Sequence, residues 1–226
     1  MTAGSLKYWL ALLVLCGAFC GWSLVRANRQ APSGDYHATS DLSSGRNPVW
    51  PPMTDFQLTD QSGKPFDSAT LRGHVWVASF FFTNCPAICW RLNQALAALQ
   101  ATMGDSDVRF VSITSDPHND TPAALDRYAR HFKADPQRWT FLTGDIHSLR
   151  DIANRQFLVA LDKDTHSSRV FAVDRRGQVR AMFSLTEQGE PERLKKLLAK
   201  LEAEPVPELP GSGATAAAGE SNEQNK

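Results

Sequence analysis

The stretch HVWVASFFFTNCPAIC, residues 74–89, decides the fold. Its first nine residues are rich in β-branched and aromatic side chains and largely apolar on both alternating faces, as a strand covered on both sides should be. The chain then passes directly into two of its four cysteines, Cys85 and Cys89, which are separated by three residues. CPAIC admits three readings: a redox pair, a metal clamp, or two small buried hydrophobes, which free cysteines often are.

Working outward, Leu92, Ala95, Leu96, Leu99 and Met103 fall on one helical stripe that Gly104 can end. VRFVSIT, residues 108–114, supplies another strand. In SDPHNDTPAALDRYARHF, residues 115–132, Thr121 reads as an N-cap and Pro122 as the first helical position. Leu125, Tyr128, Ala129 and Phe132 then share a face. WTFLTG predicts a short strand, and Asp145 caps a helix running to about Phe157. RVFAVD and QVRAMF form a hairpin around DRRG, and a last helix over 192–204 buries Leu194, Leu197, Leu198 and Leu201. Upstream, DFQLTDQSGKPFD, residues 55–67, reads as a small hairpin. This order predicts an α/β domain with a mixed central sheet, helices on both faces and an antiparallel last hairpin, which is a thioredoxin-like layout.

The flanks are of a different kind. Residues 8–25, YWLALLVLCGAFCGWSLV, carry no charge and lie between Lys7 and the pair Arg26 and Arg29. That length matches the roughly 17 to 25 residues of a transmembrane helix. Tyr8, Trp9 and Trp22 sit near its ends, where amphipathic rings suit the headgroup boundary. A secretory signal normally has a shorter apolar part and a small-residue cleavage site, for which VRA is a poor match, so an uncleaved anchor is expected over 1–27. Cys16 and Cys20 read as apolar filler, because Leu15 and Phe19 are bulky where a lipoprotein-type pattern wants a small residue. Flanking charge leaves the orientation of the span open. Residues 28–47 form a polar tether, 48–204 the folded domain, and 205–226 a disordered tail rich in Pro, Gly and Ala. With 24 basic and 24 acidic residues, the chain has no overall field to favour nucleic acid.

The cysteines occupy a strand exit, where α/β sheets gather ligands and chemistry. If helix begins within their loop, residues at i and i+4 share a face about 5 to 6 Å apart at Cβ. Two sulfurs so placed can approach one metal ion or, with modest adjustment, close a disulfide. A helix start would also favour thiolate and lower a cysteine pKa, and Pro86 fixes the backbone between the thiols. Two thiolates suit Cu(I), whereas zinc wants a closed set of four and the domain has no further cysteine. A third ligand should be histidine. His37 lies in the tether, His74 at the wrong end of its strand, and His131 and His147 on helices. His118 leaves a strand at the cysteine pole, and His166 precedes a strand that would start there if antiparallel. Topology leaves both open. Asp162 and Asp164, just before His166, either hydrogen-bond an imidazole or solvate the loop.

Taken together, FFFTNCPAIC, SITSDPHNDTPAALDRYARHF and THSSRVFAVDRRGQVRAMF resemble the Sco family, also called SenC, over about residues 50–203. The resemblance implies a membrane-anchored thioredoxin-like domain on the outer face of a bacterial cytoplasmic membrane, or facing the mitochondrial intermembrane space. It implies copper held by Cys85, Cys89 and His166 and delivered to the binuclear copper site of cytochrome c oxidase. His118 then loses its claim, and Asp116 becomes an acid beside the ligands. The implied partners are the copper-bearing oxidase subunit and a copper donor or thiol-disulfide partner. Cu(II) is a second possible cargo, because imidazole and thiolate both accept it.

Three positions depart from the commoner family pattern: Asn84, Ala87 where an acid is frequent, and Trp90 in place of the usual proline. The alternative function is a thiol-disulfide reductase in which Cys85 and Cys89 form and resolve a mixed disulfide with a target. A peroxiredoxin-like peroxidase fits poorly, because the Thr-x-x-Cys placement is missing.

Overall fold

The computed structural model describes residues 49–85, 87–161 and 168–205. Seven strands form one sheet: β1 (Gln57–Asp60), β2 (Pro65–Asp67), β3 (Trp76–Phe81), β4 (Arg109–Thr114), β5 (Trp139–Thr143), β6 (Arg169–Val173) and β7 (Val179–Ser184). Their spatial order is β2-β1-β5-β4-β3-β6-β7. The inner strands β3, β4 and β5 run parallel, while β6 pairs antiparallel with β3 and with β7, and β1 antiparallel with β2 and β5. This is the mixed thioredoxin-like sheet expected from the sequence. The chain enters β6 at the pole where β3 delivers the cysteines, since Ser79 pairs with Val170 and Trp76 with Val173.

Alternation along β3 explains why its sequence is apolar on both faces, Ser79 excepted, whose hydroxyl is paired with that of Ser112. Val77 and Phe81 face a core shared with helix α1 (Ile88–Thr102), helix α2 (Pro122–His131) and helix α4 (Glu190–Ala203). Trp76, Ala78 and Phe80 face a second core closed by helix α3 (Ile146–Asp151) and its continuation. Leu92, Leu96 and Leu99 of α1 are buried, each contributing roughly 1.5–3 kcal/mol of apolar transfer.

Local chemistry sets the ends of these helices. Gly104, at φ 52°, lies just beyond α1 in the left-handed region, as a helix-ending glycine should. Thr121 accepts the N–H of Ala124 and Pro122 opens α2, as the sequence predicts. Thr121→Ala should therefore cost about 1 kcal/mol of stability, read as a shifted urea midpoint at unchanged slope.

Two expectations need correcting. The helix capped by Asp145 ends as α at Asp151 and continues as a π-type turn over Ile152–Gln156. The last helix starts at Glu190, because Gly189 takes φ 85° and reverses the chain there, and Leu197 is only half-buried.

The anchor, the whole tether with His37, and residues 206–226 lie outside the described residues. Among the described residues no helix is long and apolar enough to cross a membrane.

Candidate functional site

Cys85 and Cys89 lie beyond the carboxyl end of β3, where the parallel strand β4 also releases its chain. Cys85 is 6% exposed and Cys89 0%, and no disulfide joins them. Burial alone also suits two packing hydrophobes. What the bland reading does not require is their pairing: the Cys89 N–H donates to Cys85 Sγ at 3.3 Å.

That hydrogen bond shows how the loop is built. Helix α1 starts at Ile88, not at the first cysteine, and its N-cap residue, Ala87, offers no side-chain acceptor. The sulfur of Cys85 takes up an N–H of the first turn that would otherwise lack a partner. The expectation that both cysteines share a helix face is thus replaced by one thiol before the helix capping an amide within it.

The expected lowering of a cysteine pKa does not hold for Cys89, whose thiol is pushed up to about 12. Burial is the main cause, followed by the hydrogen bond with the Cys85 side chain. The Phe82 backbone opposes the rise, and the charges of Cys85 and Asp120 add to it. The helix-terminal amide is directed at the sulfur of Cys85 instead.

Asp116 follows β4 and is buried, and its visible work is local. Its carboxylate accepts from Asn119 Nδ2 at 2.7 Å, and its carbonyl accepts the N–H groups of Asn119 and Asp120. The acid tied to the cysteine loop is Asp120, which is 0% exposed. It accepts the Thr83 N–H at 3.1 Å, the Thr83 hydroxyl and the Thr114 hydroxyl. Burial pushes the Asp120 carboxyl up, the Thr114 and Thr83 hydrogen bonds pull it down, and the charge of Asp116 adds to the rise, leaving it above the usual range.

Asp120 was not singled out from the sequence. The one available signal was its place two residues before Pro122, where a buried acid and a helix entry look alike. Asn93 was missed as well. It is fully buried in α1, and its Nδ2 donates to the Cys89 carbonyl at 2.8 Å and to Tyr128 Oη at 3.3 Å.

Of the histidines weighed as ligands, His118 is exposed in the turn after β4. His74 bonds Asp107 at 2.6 Å, before β3 and therefore at the opposite pole. His131 and His147 are exposed on α2 and α3. His166 lies outside the described residues with Asp162 and Asp164, and so does Pro86. The antiparallel run of β6 nevertheless meets the topological condition set for His166.

The three departures line the outside of the loop. Asn84 and Ala87 are exposed, and Trp90, 38% exposed, packs on the rings of His131 at 4.5 Å and Phe132 at 4.9 Å.

A strand exit bearing two paired, buried thiols on a thioredoxin-like sheet defines a class of thiol proteins that can bind soft metal or exchange disulfides. The SCO1/SenC family profile matches residues 50–202, and the chain belongs to that family. The SCO1 protein homolog of Bacillus subtilis is 32% identical over 133 residues, covering 55% of this chain and 69% of the relative. Among solved structures, BsSco, described as a Sco-family cytochrome c oxidase assembly protein with a disulfide switch, aligns with TM-score 0.64 at 26% identity. The alignment covers 70% of this chain and 96% of that one. Copper-bound ScoI of Bradyrhizobium japonicum aligns with TM-score 0.56 at 26% identity, over 68% and 99%.

Proposed function

We propose that this chain captures copper through Cys85, Cys89 and His166 and passes it to the copper-bearing subunit of cytochrome c oxidase. The domain would work beside a membrane to which residues 8–25 anchor it. The observation that carries this reading is the pair of buried sulfurs one hydrogen bond apart at the strand exit, at the pole where β6 begins. Family membership supports it, since one relative of similar fold holds copper and another is described as an oxidase assembly protein.

The donor chemistry agrees with the cargo. Two thiolates and one imidazole form a small, soft, open set suited to Cu(I), and a partner's cysteines can compete for it by ligand exchange. Each thiol gives up its proton as copper enters. Cys85, the less buried of the two, already receives the Cys89 N–H on its sulfur, which favours negative charge there. Cys89, wholly buried, holds its proton tightly.

The same asymmetry favours a second reading, reduction of a target disulfide. Cys85 would attack one target sulfur, the other would leave as a thiolate, and Cys89 would resolve the mixed disulfide by closing onto Cys85.

One experiment separates the readings. The reduced protein should bind about one Cu(I) per chain, and His166→Ala should weaken binding at least ~10-fold while disulfide reduction survives. Unchanged copper affinity in His166→Ala would remove that ligand, and failure of the parent to bind copper would leave only the reductase.

A further inference from the structure

Among the described residues two large hydrophobic side chains are exposed: Val49, the first of them, and Trp90, the residue after Cys89. The indole is not loose. It packs on the His131 ring at 4.5 Å and the Phe132 ring at 4.9 Å, and those two rings lie 5.2 Å from each other, so three rings hold one another between α1 and α2. Phe132 is buried and packs in turn on Tyr128 at 4.9 Å. An aromatic side chain fixed in this way can give its open face to another molecule at little cost in rotamer entropy.

The charge around it has one sign. Arg127 lies one turn before His131 on the same face of α2, and Arg91 follows Trp90 on α1. Both are exposed, and neither side chain has an ion pair or hydrogen bond among the described residues. The acid of that stretch, Asp126, is already paired with Arg130 at 2.6 Å. On the other bank of the thiols the exposed residues are Asn84, Ala87, His118, Asn119 and Thr121, while Asp116 and Asp120 are buried in hydrogen bonds of their own. In a chain with equal numbers of acidic and basic residues, the described rim of the cysteine site therefore shows an indole, free guanidinium groups and no unpaired carboxylate.

We propose that this ridge, with Trp90 at its centre and Arg91 and Arg127 beside it, is the docking surface for an acidic, cysteine-bearing segment of the protein that exchanges with the thiols. The proposal rests on the reading of Cys85 and Cys89 as the working pair, and it adds the kind of partner they meet. Exchange at either sulfur requires the partner's sulfur to come into contact with it, which lays the partner chain against the rim. The indole then covers an apolar residue beside the partner cysteine, the guanidinium groups meet its carboxylates, and like charge turns basic chains away.

The test uses the reduced full chain and two peptide probes. Each carries one cysteine blocked as a mixed disulfide with thionitrobenzoate, flanked by glutamates in one and by lysines in the other. One protein thiolate displaces the coloured thionitrobenzoate, and the second thiol closes the protein disulfide and frees the peptide thiol, so two electrons pass from the dithiol to the probe. Subtracting the rate of Cys85→Ser allows for Cys16 and Cys20, and hydroxyethyl disulfide, small and neutral, reports the thiols without docking. The glutamate probe should react about tenfold faster than the lysine probe at low salt, with the difference shrinking at high salt. Trp90→Ala should slow the glutamate probe about tenfold and leave hydroxyethyl disulfide unchanged. Arg127→Glu should cut the preference for the glutamate probe at least ~3-fold.

Equal rates for the two peptides in the parent overturn the proposal, as does a Trp90→Ala variant that slows neither peptide or slows hydroxyethyl disulfide as much. Unchanged peptide rates with lost binding to phosphatidylglycerol vesicles would give the ridge to the membrane instead. A parent with no Cys85-dependent reaction even with hydroxyethyl disulfide would remove the working pair itself, and the ridge's role with it.

Discussion

Cu(I) affinity is expected to rise about tenfold for each unit of pH between about 6 and 8 on account of Cys89 alone, and Cys89→Ser to remove that contribution with most of the affinity. The sign follows from the apo site. With its thiol pushed up to about 12, chiefly by burial, Cys89 carries its proton throughout this range, whereas the proposed clamp would hold copper with Cys89 as a thiolate. One proton would then be displaced at this residue per copper bound, so raising the pH would favour capture and lowering it release. Serine offers a hard oxygen whose proton is far harder to remove, and the loss should exceed the ~10–100-fold typical for removing a partner outside the ligand set. Competition against a Cu(I) chelator of known pH behaviour measures both effects. A slope unchanged between the parent and Cys89→Ser would mean that Cys89 gives up no proton to copper, and the two-thiolate clamp would be lost.

The parts of this site that the sequence makes legible are those encoded by local period and punctuation. The double-sided apolarity of residues 74–82 marks β3 as central, and the cysteines immediately after it place them at a strand exit. Thr121-Pro122 marks the start of α2. Placing the start of β6 at the cysteine pole needed only the inference that the last hairpin is antiparallel. What escapes such a reading is what faces what across elements. Asn93 sits among the leucines of α1 and finds Tyr128 thirty-five positions later, on α2. Helical period puts Tyr128 on a core face but cannot say that its hydroxyl meets a polar partner there. The pKa of Cys89 escaped for a related reason. A helix start predicts stabilised thiolate, but which sulfur the amide reaches depends on the loop geometry, and the burial that dominates Cys89 comes from tertiary packing.

Asp120 offers the second large effect, and it has a signature that simple packing lacks. Asp120→Ala is expected to destabilise the domain by about 1–3 kcal/mol, because the Thr83 N–H and the Thr83 and Thr114 hydroxyls lose their common acceptor in the interior. Thr83 lies two residues before Cys85, so copper affinity should fall with stability, by ~10–100-fold if the loop loosens as an outer partner's loss usually allows. Asp120→Asn keeps an acceptor oxygen for the amide and removes the charge, which reverses the expectation at neutral pH. The folded carboxyl lies above its unfolded value near ~3.9, so between the two values the native state binds the extra proton. Stability from this residue is then fully present below the unfolded value and is lost as pH rises through the folded one. Relative to the parent, the asparagine variant should therefore gain stability from pH ~4 to pH ~8, while the alanine variant stays the least stable at both. Urea unfolding at the two pH values decides the matter. If the asparagine variant instead loses ground as pH rises, the charge of Asp120 is stabilised in the fold by more than its burial costs, and the loop before Cys85 is held by an anion rather than by a neutral acceptor.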